Sequence, residues 1–231
     1  MKTIGLIGGM SWESSLEYYR IINQLVAKRL GSLHSARLVL YNLDFAEIEQ
    51  LQREDRWDDS ALILIQAGIA LKQAGADFLL ICANTMHKVA DIVAQQVSLP
   101  LVHIADVTGN AIVKHRMHTV GLLGTKYVME EQFYRDKLEK EFGIKVLVPP
   151  KVERDMIHRI IYEELCRGIL IETSHQACTR IIAKLKLHGA EGVVLGCTEL
   201  PLLIRSGDVD IPLLNTTQLH AEVAVDLALN E

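Results

Sequence analysis

Thr3-Ile4-Gly5-Leu6-Ile7-Gly8 returns, barely altered, as Thr119-Val120-Gly121-Leu122-Leu123-Gly124, an offset of 116 residues. Two further matches follow in the same order. Gly75-Ala76-Asp77 with Phe78–Cys82 corresponds to Gly189-Ala190-Glu191 with Gly192–Gly196, offset 114, and Leu99-Pro100-Leu101 corresponds to Ile211-Pro212-Leu213, offset 112. Each match carries a short continuous apolar run, the pattern of a strand buried on both faces. Strands are expected at Thr3–Ile7, Arg37–Tyr41, Phe78–Cys82, Leu101–Ile104, Thr119–Leu123, Lys145–Val148, Gly192–Gly196 and Pro212–Leu214. Between them, Ser14–Leu30, Ser60–Ala74, Met86–Val97, Glu130–Phe142, Met156–Arg167 and Thr173–His188 repeat apolar residues at three and four, as amphipathic helices do. Alternation of strand and helix predicts parallel sheets covered by helices. The fold class is therefore α/β: two similar three-layer domains with mainly parallel sheets. Residues 1–104 plus 208–231 form the first expected domain and 105–207 the second, with Ala105–Asn110 as the crossover.

The bulk properties narrow the function. With 231 residues and 49% apolar side chains, the chain can bury a large core; 23% charged residues and a net charge of −5 include no basic stripe, so nucleic acid is not an expected partner. No apolar run approaches the roughly 20 residues of a membrane span. Met1-Lys2-Thr3-Ile4 leads straight into a strand pattern without the features of a secretory leader. The four cysteines, Cys82, Cys166, Cys178 and Cys197, form no CxxC pair, and no His/Cys spacing suggests a metal. A reducing cytoplasm suits such a chain.

In open α/β sheets, ligands bind beyond the carboxyl ends of strands. Two such ends align under the offset of 114: Ala83-Asn84-Thr85 and Cys197-Thr198-Glu199. Asn84, Thr85 and Thr198 supply amide and hydroxyl groups that can hold a carboxylate without a metal. Cys197 supplies a thiol whose ordinary pKa of about 8.5 falls beside a helix N-terminus. Inverting a carbon centre needs proton transfer on two opposite faces, and a thiol suits one of them. The plainer reading of Cys197 is a small buried hydrophobe.

These motifs resemble the aspartate/glutamate racemase family. The carriers are Gly5–Ser14 (GLIGGMSWES), Asn84-Thr85-Met86-His87, Gly121–Thr125 (GLLGT) and Gly196-Cys197-Thr198-Glu199. The resemblance implies two domains related by a pseudo-twofold, an active site in the cleft between them, no cofactor, and a homodimer. It implies that Cys197 is one of two catalytic acid/bases in the racemisation of aspartate or glutamate. The position of the second, usually Cys or Thr, is here Ala83, and a methyl group transfers no proton. Cys82 is one residue early and, in a strand, points to the other face, so it is assigned to the core. Reduced or lost racemase activity follows. The alternatives are a one-thiol enzyme resembling the arylmalonate decarboxylases, and a non-catalytic binder of a dicarboxylic amino acid.

Other positions carry two readings each. Met10 and Ser11, in Gly8-Gly9-Met10-Ser11, contact substrate or form a tight strand-to-helix turn. Thr125 occupies the equivalent loop of the second half. Gln52 is carried over from the family as a side-chain recognition residue, while Arg53 and Arg56 read as solvated. The family's aspartate-selective members use a lysine in the segment that here reads Glu163–Gly168 without one, which puts strict aspartate selectivity in doubt. Cys166 is assigned to packing. His87 tunes the site or packs, His103 is a weaker candidate, and His115 and His118 are surface residues. Glu199 binds the substrate ammonium or serves as a favourable charge at a helix start.

Overall fold

The computed structural model describes residues 1–31 and 33–230, and the chain divides into two compact units, Met1–His103 with His220–Glu231, and Ile104–Leu219. The first contains strands β1 (Ile4–Gly8), β2 (Leu38–Asn42) and β3 (Phe78–Ile81), and helices α1 (Trp12–Leu30), α2 (Phe45–Arg53), α3 (Trp57–Gln73) and α4 (Ala90–Val97). The second begins with α5 (Ile104–Lys114) and β4 (Thr119–Gly124), then α6 (Lys126–Glu130), α7 (Gln132–Asp136) and β5 (Lys145–Leu147). It continues with α8 (Lys151–Arg159), α9 (Glu172–Leu187), β6 (Gly192–Gly196), α10 (Leu200–Leu203) and β7 (Leu213–Asn215). Helix α11 (Thr216–Leu229) starts in the second unit and ends in the first.

Both sheets are parallel, and each places the strand of the opening repeat in the middle. Their orders are β2-β1-β3 and β5-β4-β6-β7. The internal matches occupy equivalent registers. Ile4 pairs with Phe78 as Val120 does with Gly192, and the single bridge Leu79–Leu101 corresponds to Val193–Leu213. The repeat is therefore a repeat of strand pairing.

Every residue of β1, β3 and β6 is buried, as continuous apolar runs require. On one face of the first sheet, Ile4, Leu6, Phe78 and Leu80 meet Tyr18, Ile22 and Val26 of α1 and Ala221, Ala224 and Val225 of α11. Helix α3 packs against β1 and β2. In the second unit, Val120, Leu122 and Val194 point into a core with Ile104, Ile112, Tyr134 and Leu138. Leu123, Val193 and Leu195 point to the opposite core, built from Ile157, Ile161, Ile181, Ile182 and Leu185. That alternation makes a three-layer unit. Each such Leu or Ile contributes about 1.5–3 kcal/mol by leaving water.

Several expectations need correction. Residues 208–219 stay with the second unit, because β7 pairs with β6 and Thr216 Oγ1 donates to Leu195 O at 2.8 Å; the return comes at His220. Leu101–Ile104 is no strand: Leu101 bridges Leu79, and Ile104 already begins α5. The Ala105–Asn110 crossover is the body of that helix, with Ala105, Val107, Thr108 and Gly109 buried. Helix α2 lies outside the expected helices; it is started by Asp44, whose side chain accepts from the Ala46 N–H. The helix expected over Glu130–Phe142 is broken into α6, α7 and a wider π-type turn at Lys137–Glu141. Among the described residues, no helix is long and apolar enough to cross a membrane.

Candidate active site

The first strand end is a tightly tied piece of backbone. After β1, Gly9 takes φ +89°, and a Cβ there would lie 2.2 Å from Leu43 O; only glycine fits. The Gly9 N–H donates to Ser15 Oγ at 2.7 Å, and Ser15 Oγ donates to Ser11 O at 3.2 Å. The Met10–Ser11 peptide is cis, and both residues are buried. The tight-turn reading of Gly8–Ser11 is thus correct. It also presents Met10 and Ser11 beside β3, because Ser14 Oγ donates to Cys82 O at 2.6 Å.

Beyond β3, Ala83, Asn84 and Thr85 are all buried, and a 3-10 turn runs from Thr85 to Val89. His87 closes it. Its N–H donates to Asn84 O at 3.1 Å, and its Nδ1–H donates to Ala83 O at 2.8 Å. Burial, then the neighbouring His103, pushes His87 well below the ordinary histidine range, so the ring is neutral. Its ring meets those of His103 at 4.7 Å and His220 at 5.7 Å. His220 is fixed in turn: Tyr18 OH donates to its Nδ1 at 2.8 Å, and its Nε2–H donates to Val102 O at 2.9 Å. This histidine group holds the turn from behind, so His87 fits the packing reading.

Gln52 is buried and donates through Nε2 to Met86 Sδ at 3.0 Å, which brings it to this strand end. Arg53 and Arg56 stay at the surface, in ion pairs with Glu49, and with Glu54 and Asp59. Cys82 is fully buried, and desolvation pushes its thiol far up, as a core residue requires. His115 and His118 are exposed.

The second strand end holds the candidate thiol. Gly124 lies opposite Gly196, so Thr125 and Cys197 follow neighbouring strands. A Cβ on Gly124 would come within 2.7 Å of Gly196 O, so glycine permits that close approach. Thr125 Oγ1 accepts from the Val128 N–H at 3.3 Å and caps α6. Cys197 is 5% exposed and Glu199 2%. The Cys197 thiol donates to Glu199 Oε2 at 3.0 Å, and Thr198 Oγ1 donates to the same oxygen at 2.7 Å.

The expected lowering of the thiol pKa is overturned. Burial, above all, and then the negative Glu199 and the nearby Cys166, hold Cys197 well above the ordinary range. The helix that follows, α10, is one turn long, and the residue capping it is the carboxylate itself. Glu199 therefore accepts the hydrogen bond of the thiol, a contact that the sequence reading missed. Its backbone, φ −92° and ψ −21°, folds the side chain back to the residue two before it.

Ser14, Ser15 and Thr216 were also missed; each ties a strand end through a hydroxyl, and no spacing announces them. Among the described residues, no three His, Cys, Asp or Glu side chains are grouped to hold a metal.

Residues 7–224 match the model of the Asp/Glu/hydantoin racemases. The fold is shared with a candidate Asp/Glu racemase of Yersinia pestis at 50% identity and a TM-score of 0.92, each chain covered completely. An aspartate racemase homologue of Pyrococcus horikoshii is 37% identical, again over the whole of both chains, with a TM-score of 0.85. The broad-specificity amino-acid racemase RacX of Bacillus subtilis is 21% identical over 74% of each chain. The chain belongs to the Asp/Glu/hydantoin racemase family.

Proposed function

We propose that this chain exchanges the α-proton of aspartate- or glutamate-type amino acids through Cys197, without a cofactor, and that the loss of the second acid/base at Ala83 makes full racemisation slow. The observation that carries the reading is the buried thiol–carboxylate pair at the end of β6, 3.0 Å from sulfur to oxygen. The supporting context is membership of a racemase family.

The chemistry follows from the pair. Glu199 accepts the thiol proton, and the thiolate so formed removes the substrate's α-proton, leaving a carbanion stabilised by the α-carboxylate. Return of a proton from Cys197 restores the original configuration. Inversion needs a donor on the opposite face, and the repeat assigns that face to the Ala83 position, whose side chain is a methyl group. Asn84, Thr85, Thr125 and Thr198, with Met10 and Ser11, are assigned to holding the substrate; all six are buried at the two strand ends. Gln52, buried against Met86, is assigned to substrate binding as well.

The test is incubation of each enantiomer of aspartate and glutamate in heavy water, followed by mass spectrometry and chiral separation. Deuterium enters the α-position with little inversion, Cys197→Ser abolishes the exchange, and Ala83→Cys or Ala83→Thr raises inversion. If Cys197→Ser leaves exchange intact, the reading fails. The missing second thiol favours a one-thiol decarboxylase as second reading; carbon dioxide release from a substituted malonate, without exchange on amino acids, would establish it instead.

A further inference from the structure

Four half-buried side chains of the second unit, Lys126, Tyr127, His158 and Tyr162, cluster together and are not used by the chemistry above. Lys126 directly follows Thr125, at the end of the strand that neighbours β6. His158 of α8 reaches this point, and its Nδ1 accepts the Lys126 N–H at 3.4 Å. A neutral imidazole that accepts at Nδ1 carries its proton on Nε2, which leaves a donor. The ring is neutral: burial, then Lys126, lowers it to about 4, against the opposing charges of Asp155 and Glu130.

Two aromatic rings frame the pair. Tyr162 lies 4.5 Å from the His158 ring and Tyr127 5.8 Å, edge-on, and the Lys126 ammonium is 5.0 Å from the Tyr127 centroid. Tyr162 and Cys166 pack against the same core that contains Cys197, and Cys166 is close enough to raise the Cys197 thiol. The cluster is therefore continuous with the surroundings of the thiol.

Charge completes the argument. The acidic groups nearest the ring are already engaged, Glu130 with Arg154 at 2.8 Å and Asp155 with Lys151 at 2.9 Å. Lys126 forms no ion pair among the described residues. A lysine and an imidazole N–H donor, framed by two aromatic rings, match an anion with two oxygens.

We propose that Lys126 and His158 form the subsite for the distal carboxylate of an acidic amino acid, the ammonium and the Nε2–H being its two donors. This rests on the reading of Cys197 as the α-proton acid/base and adds the side-chain selectivity of the same site.

The experiment compares the parent chain with Lys126→Met, Lys126→Arg and His158→Asn. Asparagine at 158 keeps an acceptor for the Lys126 N–H, and its shorter side chain withdraws the donor from the Nε2 position. Affinities for aspartate and asparagine are measured by calorimetry, and α-deuterium exchange of both in parallel. Loss of a hydrogen bond to a charged group predicts an aspartate-over-asparagine ratio that falls about tenfold or more in Lys126→Met, is largely kept in Lys126→Arg, and falls several-fold in His158→Asn. A ratio that stays within about threefold of the parent's in Lys126→Met, or failure of the parent to bind aspartate, overturns the subsite. The two readings fail separately. Lys126-dependent binding without exchange leaves the subsite standing and removes the catalytic role of Cys197. Exchange with an indifferent ratio does the reverse.

Discussion

Replacing Glu199 by glutamine separates two consequences of one contact, and they run in opposite directions. The carboxylate raises the Cys197 thiol through its charge and its hydrogen bond, and in the proposed mechanism it also takes up the thiol proton. Glutamine is nearly isosteric and neutral. Without the negative neighbour, the thiolate forms more easily, so the pH midpoint for alkylation by iodoacetamide moves down and the rate at neutral pH rises. The α-proton exchange moves the other way, because a neutral amide does not take up the thiol proton. Positioned proton transfer contributes about 10²–10⁴-fold, so exchange in Glu199→Gln drops by that factor, about 3–5 kcal/mol of barrier at 1.36 kcal/mol per decade. The pair is 5% and 2% exposed, so solvent offers little substitute for the lost acceptor. Both quantities come from one preparation: an alkylation profile across pH 6–10 and deuterium uptake by aspartate. Faster alkylation with slower exchange is the expected pattern. An alkylation midpoint that stays or rises, or exchange within threefold of the parent's, refutes the assignment of Glu199.

Other outcomes follow from the same structure. His220 titrates at about 3 in the fold against 6.5 free, through burial and then His87, so the unfolded chain takes up the proton first. Stability is therefore full above about pH 6.5 and is lost as pH falls towards 3, by an amount of order 5 kcal/mol from this residue, and His220→Gln flattens the acid limb of a urea-midpoint profile. Gly9→Ala forces a Cβ into the Leu43 backbone at positive φ and lowers the denaturant-derived stability by about 1–3 kcal/mol or more. Cys82→Ala, a core change with no part in proton transfer, lowers the thermal midpoint while α-proton exchange per folded molecule stays at the parent level.

Strands β1 and β6 could be read from the chain because burial on both sheet faces leaves no polar residue in them, and β4 carries one only at its first position, Thr119; all three lie within a residue of their expected bounds. Helix α5 escaped because Thr108 and Gly109 interrupt its apolar pattern, yet both are buried: Thr108 Oγ1 turns back to Ile104 O at 2.8 Å. The misplaced return at residue 208 has an equally physical cause. The match of Leu99-Pro100-Leu101 to Ile211-Pro212-Leu213 records pairing and not a point of return along the chain. Leu101 bridges Leu79 in its own sheet, so Leu213 had to pair with Val193 in its own, which holds the segment in the second unit. At the site, Cys197 and Ala83 were legible from their motifs. The direction of the thiol's pKa was not. It depends on how deeply the thiol is buried and on where a side chain two residues away folds, and neither is encoded in spacing.

The two strand ends now differ in kind. At the first, hydrogen bonds converge on the backbone: Ser14 holds the Cys82 carbonyl and His87 holds the Ala83 carbonyl, so this peptide is fixed from two sides. At the second, they converge on a side chain: Glu199 Oε2 accepts from both Cys197 and Thr198. A duplicated scaffold that kept two working bases would be expected to tune a proton donor at each end. Under the proposed reading the first end lacks its proton donor, while a neutral histidine fixes the backbone of Ala83. Restoring a thiol or hydroxyl at 83 therefore adds chemistry to a position that is already held in place. For that reason Ala83→Cys is expected to raise inversion with little change in fold, whereas Cys197→Ser removes the one group that exchanges a proton with the α-carbon in the proposed mechanism.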